Sequence, residues 1–242
     1  MLKVSMSPWH VIGIDPAPSK RAVVYHDGAW EDVEPTDLRN FITQQAESTP
    51  RTLVAWDAPL SFDPTDLYDR TVDKAARAWV KKHVGIGHFS KKAINARAFA
   101  GLPHWVVSCV SLGLPFGTPP LGLRLADVAA LDSLHTGLLA IEVHPAVAIG
   151  AWWLASACPE PLPRYKGDPA ACASIAARLG FPSHCGSDDD VLDAFVAHRL
   201  GELFVQGQAS WVGNPCTGGY VMPLCQPTEE LLSTLSIWGS AA

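Results

Sequence analysis

Short apolar runs, each closed by an acid or a turn, alternate along this chain with longer segments of helical period. H-V-I-G-I-D at 10–15 reads as a strand ending on Asp15. The loop D-P-A-P-S-K follows, and then two β-rich runs, R-A-V-V-Y-H-D-G from Arg21 and A-W-E-D-V-E-P from Ala29. Successive strands joined by a tight loop predict an antiparallel start. Thr36 is suited to cap a helix over D-L-R-N-F-I-T-Q-Q-A-E-S, with Leu38, Phe41 and Ile42 on one face. T-L-V-A-W-D-A-P-L at 52–60 is another apolar strand, ended by Asp57. Residues 66–83 and 124–136 read as helical, and L-L-A-I-E-V-H-P at 138–145 as a strand holding one carboxylate, Glu142.

The last third is patterned more sharply. P-A-A-C-A-S-I-A-A-R-L at 169–179 predicts a helix with Pro169 in its first turn and Gly180 at its end. Residues 187–204 predict a longer helix, with a Ser187 cap and acids in the first turn, where the macrodipole favours them. G-G-Y-V-M-P-L at 218–224 reads as a closing β element. No internal repeat or low-complexity linker interrupts the chain. One α/β domain over 1–242 is the economical reading, with a helical and loop insertion over 62–124.

Composition narrows the class. The chain is 48% hydrophobic and 17% charged, with nine Trp, which excludes a disordered polyelectrolyte. The opening M-L-K-V-S-M-S-P-W-H lacks the apolar core of a secretory leader. Between Arg97 and Arg124 no Asp, Glu, Lys or Arg occurs, but Pro103, Pro115, Pro119 and Pro120 break any continuous membrane-spanning helix there. The six cysteines show no zinc-like spacing, so reduced thiols in a cytoplasmic protein without a membrane partner are expected.

Net charge is −6 and unevenly spread. Residues 70–97 hold eight basic side chains and one acid, a local +7, which leaves −13 for the rest. A basic segment beside an acidic body suits a phosphate-rich ligand. Lys74, Arg77, Lys81, Lys82, Lys91 and Lys92 are its candidate nucleic-acid contacts. A solvated helix face is the plainer alternative.

Four acidic sites stand out, one of them a pair: Asp15, Asp57, Glu142 and Asp190/Asp193. The first three lie in or at the end of apolar strands, where an unpaired carboxylate is costly to desolvate. Clustered carboxylates resist ionisation unless cations neutralise them, and hard divalent ions take oxygen ligands. Asp190 and Asp193 are spaced to face the same way from one helix. Each acid also has a structural reading: Asp15 before Pro16 and Asp57 before Ala58-Pro59 suit turns, and Asp188 to Asp190 suit a helix cap.

The strings V-I-G-I-D-P-A-P-S-K, V-A-W-D-A-P-L-S-F, I-E-V-H-P-A-V-A, Y-K-G-D, S-D-D-D-V-L-D-A-F-V-A-H-R-L-G and G-G-Y-V-M-P-L, in this order, resemble the predicted nucleases called domain of unknown function 429. The resemblance runs from residue 11 to residue 224. It implies a ribonuclease H-like mixed sheet flanked by helices, and kinship with the Holliday-junction resolvases. By position, it makes Asp15 the first-strand metal ligand, Glu142 a central-strand acid, and Asp193, supported by Asp190, the helix acid. Asp57 of W-D-A-P becomes a ligand or a supporting group. His144 becomes a proton shuttle, a phosphate contact or a hydrogen-bonded histidine on the strand face of Glu142. Lys166 of Y-K-G-D becomes a phosphate-neutralising lysine. Residues 70–124 depart from the family pattern, so substrate choice is expected to reside there.

The reaction this implies is two-metal hydrolysis of a phosphodiester in RNA or DNA. Asp15 would bridge two Mg²⁺ or Mn²⁺ ions while Glu142 and Asp193 each hold one. One rival is an actin-like ATP-dependent phosphotransferase, although Pro16 and Pro18 remove N–H donors from its phosphate loop. The other is a noncatalytic nucleic-acid-binding module.

Overall fold

The structure, a computed structural model, describes residues 9–17, 19–61, 70–84, 108, 111–112, 124–125, 137–214, 218–226 and 228–229. Its centre is a mixed sheet. The strands are β1 (His10–Asp15), β2 (Ala22–His26), β3 (Ala29–Val33), β4 (Arg51–Trp56), the two-residue β5 (Arg124–Leu125) and β6 (Gly137–Glu142). Their order across the sheet is β3-β2-β1-β4-β6-β5. The first three strands form an antiparallel meander, as expected, and β1, β4, β6 and β5 run parallel. The helices are α1 (Leu38–Ser48), α2 (Thr71–His83), α3 (Pro145–Ala155), α4 (Pro169–Leu179) and α5 (Asp189–Val205). A second, two-stranded sheet pairs β7 (Ala209–Asn214) with β8 (Gly218–Pro223), and a parallel bridge from Val143 to Val221 joins it to the end of β6.

Strand alternation divides the core into two layers. Val11, Leu53, Ala55, Leu139, Ile141 and Val143 point to one face and pack with α2, α3, α4, α5 and the β7–β8 hairpin. Ile12, Ile14, Val54, Trp56, Leu138 and Ala140 point to the other face, against Leu38 and Ile42 of α1 and against Leu112. The Trp56 indole N–H donates to the Ser108 hydroxyl at 2.6 Å. The described part of the uncharged stretch is thus built into the second layer.

Several boundaries follow from cap chemistry. Asp168 caps α4 by accepting from the Ala170 and Ala171 N–H groups, and Gly180 closes it at φ +70°. Both ends fall where Pro169 and Gly180 predicted them. In α5 the cap is Asp188, which accepts from the Val191 N–H, rather than Ser187. The α1 cap is Asp37 with no side-chain bond, not Thr36. Arg124–Leu125 is a strand beside β6, not the start of a helix, while 126–136 lies outside the described residues. Strand β6 ends at Glu142, so His144 opens α3, where its carbonyl accepts from Val147 and Ala148. Helix α3 and strand β7 were not anticipated. Among the described residues no helix is long and apolar enough to cross a membrane.

Helix α5 lies unusually close to β1, and two glycines permit it. A Cβ on Gly13 would run into the Ala194 carbonyl oxygen and the His198 backbone nitrogen. A Cβ on Gly201 would come within 2.5 Å of the Val11 Cγ1. Backbone cannot swing aside as a side-chain tip can, so Gly13→Ala must lift α5 from the sheet. Overpacking of this kind costs about 1–3 kcal/mol. Denaturant unfolding of Gly13→Ala should show a loss of at least that size, with an unchanged midpoint contradicting the close seam.

Candidate functional site

The parallel strands β1 and β4 end side by side, and the Asp57 N–H donates to the Ile14 carbonyl at 2.9 Å just beyond them. Asp15 and Asp57 therefore occupy one rung and point to one face of the sheet, the face covered by α5. The seam at Gly13 brings the first turns of α5 over the same strand end. Asp193, almost completely buried, and Asp190 then join Asp15 and Asp57 in one electrostatic cluster.

A turn supplies the cluster's lysine. In Tyr165-Lys166-Gly167-Asp168 the Asp168 N–H bonds the Tyr165 carbonyl at 2.9 Å, with Gly167 at φ +76°. Glycine takes that left-handed conformation without steric cost, as a tight turn of this kind demands. The Gly167 N–H reaches Asp189 Oδ1 at 3.2 Å, which ties the turn to the start of α5. The Tyr165 hydroxyl donates to Asp193 Oδ1 at 2.9 Å, and Lys166 Nζ bonds Asp193 Oδ2. Lys20, from the loop after β1, bonds Asp190.

The charge states follow from this crowding. Burial holds the Asp15 carboxyl well above the usual carboxylate range, and Asp57, Asp193 and Asp190 push it further while Lys166 opposes them. Burial likewise raises Asp193 to about 6, although Lys166 and the Tyr165 hydroxyl favour its charged form. Burial works against the Lys166 ammonium, but Asp193, Tyr165, Asp15 and Asp57 outweigh it and hold the lysine firmly protonated. The site is thus several carboxylates met at its rim by two half-exposed lysines, Lys166 and Lys20.

Glu142 does not belong to this group, contrary to the sequence expectation. It pairs in register with Trp56, which pairs with Ile14. That rung lies one residue before Asp15 and Asp57, so Glu142 points to the opposite face. There Arg70 Nη2 meets Oε1 at 2.6 Å, while Arg70 Nη1 and the Leu60 N–H reach Oε2 at 3.0 and 2.8 Å. Arg70 also bonds Asp73 through Nε at 2.8 Å, and all three side chains are fully buried. Both Glu142 oxygens are therefore committed to an ion-pair triad that pins the start of α2.

His144 is likewise displaced from its expected strand face. It packs edge-on against Tyr220, with ring centroids 5.5 Å apart, at the head of α3. Lys74, Lys81 and Lys82 are exposed on α2 and Arg77 is half-buried there, whereas Lys91 and Lys92 lie outside the described residues. Sequence reasoning missed Tyr165 and Lys20. Both belong to motifs quoted from the sequence, Y-K-G-D and D-P-A-P-S-K, and only the fold shows which acids they meet.

These placements predict opposite outcomes for two conservative variants. Glu142→Gln weakens a buried ion pair and leaves Arg70 undercompensated, a loss of about 3–5 kcal/mol in chemical denaturation. Asp15→Asn relieves repulsion. Because Asp15 binds its proton more tightly folded than unfolded, the native form is favoured below about pH 4 and loses that advantage as the pH rises. Asp15→Asn should match wild type there and gain relative stability toward neutral pH, as thermal melts across that range would record.

In comparison with known proteins, the family described as "Protein of unknown function (DUF429)" matches this chain over residues 13–217. No curated protein and no solved structure matches it.

Proposed function

The chain belongs to the DUF429 family of proteins of unknown function, and on that premise we propose that it is a metal-dependent nuclease of ribonuclease H-like fold, acting at the Asp15 cluster. The fold assignment is supported by an antiparallel meander continued by parallel strands, in the order β3-β2-β1-β4-β6. The function is carried by one observation above all. Asp15 and Asp57 stand side by side at the carboxyl ends of two parallel strands, and Asp190 and Asp193 of α5 act on the same half-buried Asp15 carboxyl. Ligands of open α/β sheets gather at such strand ends, and like charges so arranged favour a hard divalent cation.

Asp15, Asp57, Asp190 and Asp193 offer Mg²⁺ or Mn²⁺ an all-oxygen donor set, although no three of their carboxylate oxygens lie within 4.8 Å of one another, so binding must draw the side chains together. Glu142 does not fit, because Arg70 and Leu60 engage both its oxygens. When bound, the metal supplies charge neutralisation at the scissile phosphate and a lowered pKa for the attacking water. The remaining work belongs to the protein. The Tyr165 hydroxyl orients Asp193 through its 2.9 Å bond. Lys166 and Lys20, each paired with a cluster carboxylate, exchange that partner for a phosphate oxygen when nucleic acid arrives. Lys74, Arg77, Lys81 and Lys82 on α2 engage further backbone phosphates, so binding weakens steeply with salt.

The test is a cleavage screen over single-stranded, duplex, hybrid and branched RNA and DNA with Mg²⁺ or Mn²⁺. Wild type should cleave at least one substrate, and Asp15→Asn and Asp193→Asn should fall to background while remaining folded. Undiminished cleavage by Asp15→Asn would sink this assignment. Metal binding with no cleavage of any substrate would convert it to a noncatalytic binding module.

A further inference from the structure

At the other end of β1 from Asp15, the strand opens with His10, and the β2–β3 hairpin turns there through Asp27-Gly28. Both loop residues have left-handed φ, +48° and +80°, as a two-residue type I′ turn requires. The turn fixes Asp27 between two imidazoles. Asp27 Oδ1 lies 3.7 Å from His10 Nε2, and Asp27 Oδ2 lies 3.2 Å from His26 Nδ1. Among the described residues this is the one group of three histidine, cysteine or carboxylate ligand atoms within 4.8 Å of one another.

The hydrogen bonds around the group determine what it can hold. His26 Nε2 lies 2.8 Å from Glu31 Oε1 on β3. A carboxylate only accepts, so the proton sits on Nε2 and the Nδ1 lone pair faces the Asp27 oxygen. Two acceptors at 3.2 Å need either a second proton or a cation between them. His10 Nε2, the third member, is buried and makes no hydrogen bond. A tetrahedral zinc ion with bonds of about 2.0–2.2 Å spaces its ligand atoms about 3.4 Å apart, close to the 3.2 Å between His26 Nδ1 and Asp27 Oδ2. A ligating histidine also characteristically donates its other N–H to a carboxylate, the arrangement His26 makes with Glu31.

We propose that His10, His26 and Asp27 form a zinc site, oriented by Glu31 and separate from the carboxylate cluster. Two imidazoles and one carboxylate select a borderline transition metal over Mg²⁺. Three protein ligands leave a coordination position open. His10 and Asp27 border a cleft of about 790 Å³ that is also lined by Trp9, Gly28, His198 and Glu202. His198, whose Nδ1 lies 4.0 Å from Glu202 Oε2, adds another imidazole to the cleft wall.

The full chain is titrated with Co²⁺, a spectroscopic stand-in for Zn²⁺, and the cobalt is then displaced by Zn²⁺. With excess Mg²⁺ present to occupy the carboxylate cluster, the expected result is one cobalt ion per chain with visible ligand-field bands that Zn²⁺ abolishes. His10→Gln and His26→Ala should lose the bands. Asp27→Gly should lose them too while keeping the turn, since glycine accepts its φ. Glu31→Gln, an exposed change, should weaken affinity roughly 10–100-fold, and Asp15→Asn should leave it unchanged. Absence of cobalt binding would assign the His26 contact to a second proton and overturn the site. Binding that survives both histidine variants, or disappears in Asp15→Asn, would overturn it equally.

Discussion

The close approach of α5 to β1 is the constraint on which the candidate site depends. Gly13 and Gly201 remove the side-chain atoms that would hold the helix away from the strand. The helix then covers the rung that carries Asp15 and Asp57 and brings Asp190 and Asp193 to it. The Y-K-G-D turn is fastened to the same helix through Asp189 and Asp193. A longer separation would leave the acids solvated and independent, with ordinary carboxylate behaviour. The cluster's chemistry is therefore a product of packing geometry as much as of residue type.

The pleat of the sheet supplies the second constraint. Alternation sends neighbouring residues to opposite faces, so one position decides whether an acid joins the cluster or leaves it. Asp15 and Asp57 fall on the α5 face, and Glu142 falls on the other. Its partner Arg70 is wholly buried and answers both Glu142 and Asp73. Such a triad adds little net stability over an apolar replacement, but any single deletion from it is expensive. Glu142 thus anchors α2, the helix that carries Lys74, Arg77, Lys81 and Lys82, while the acids on the other face carry the proposed chemistry.

Much of this was legible in the sequence. The apolar runs at β1, β4 and β6, the antiparallel start, and α4 with its proline and glycine ends all follow from local rules, whereas family membership follows from the order of the motifs across the chain. Helix α3 was hidden because Pro145–Ala151 and Trp153 are all buried. A helix buried all round has no polar stripe to reveal its period. Strand β7 buries only Ala209 and Val212 and carries Gly213 at φ +79°, so its apolar alternation is weak. The face of Glu142 was unreadable for a different reason: it depends on the register between β4 and β6, a pairing across a long insertion that no local pattern encodes. Arg70 was counted with the basic cluster because charge counting cannot tell a buried guanidinium from a solvated one.

The most direct measurement is anomalous scattering from a crystal grown or soaked with Mn²⁺, which locates the ion and names its ligands together. The account predicts density beside Asp15 and Asp57, with Asp193 or Asp190 contributing and the Arg70–Glu142 pair intact. Manganese bound to Glu142 with Arg70 displaced, or a saturating soak with no ion near Asp15, would contradict it.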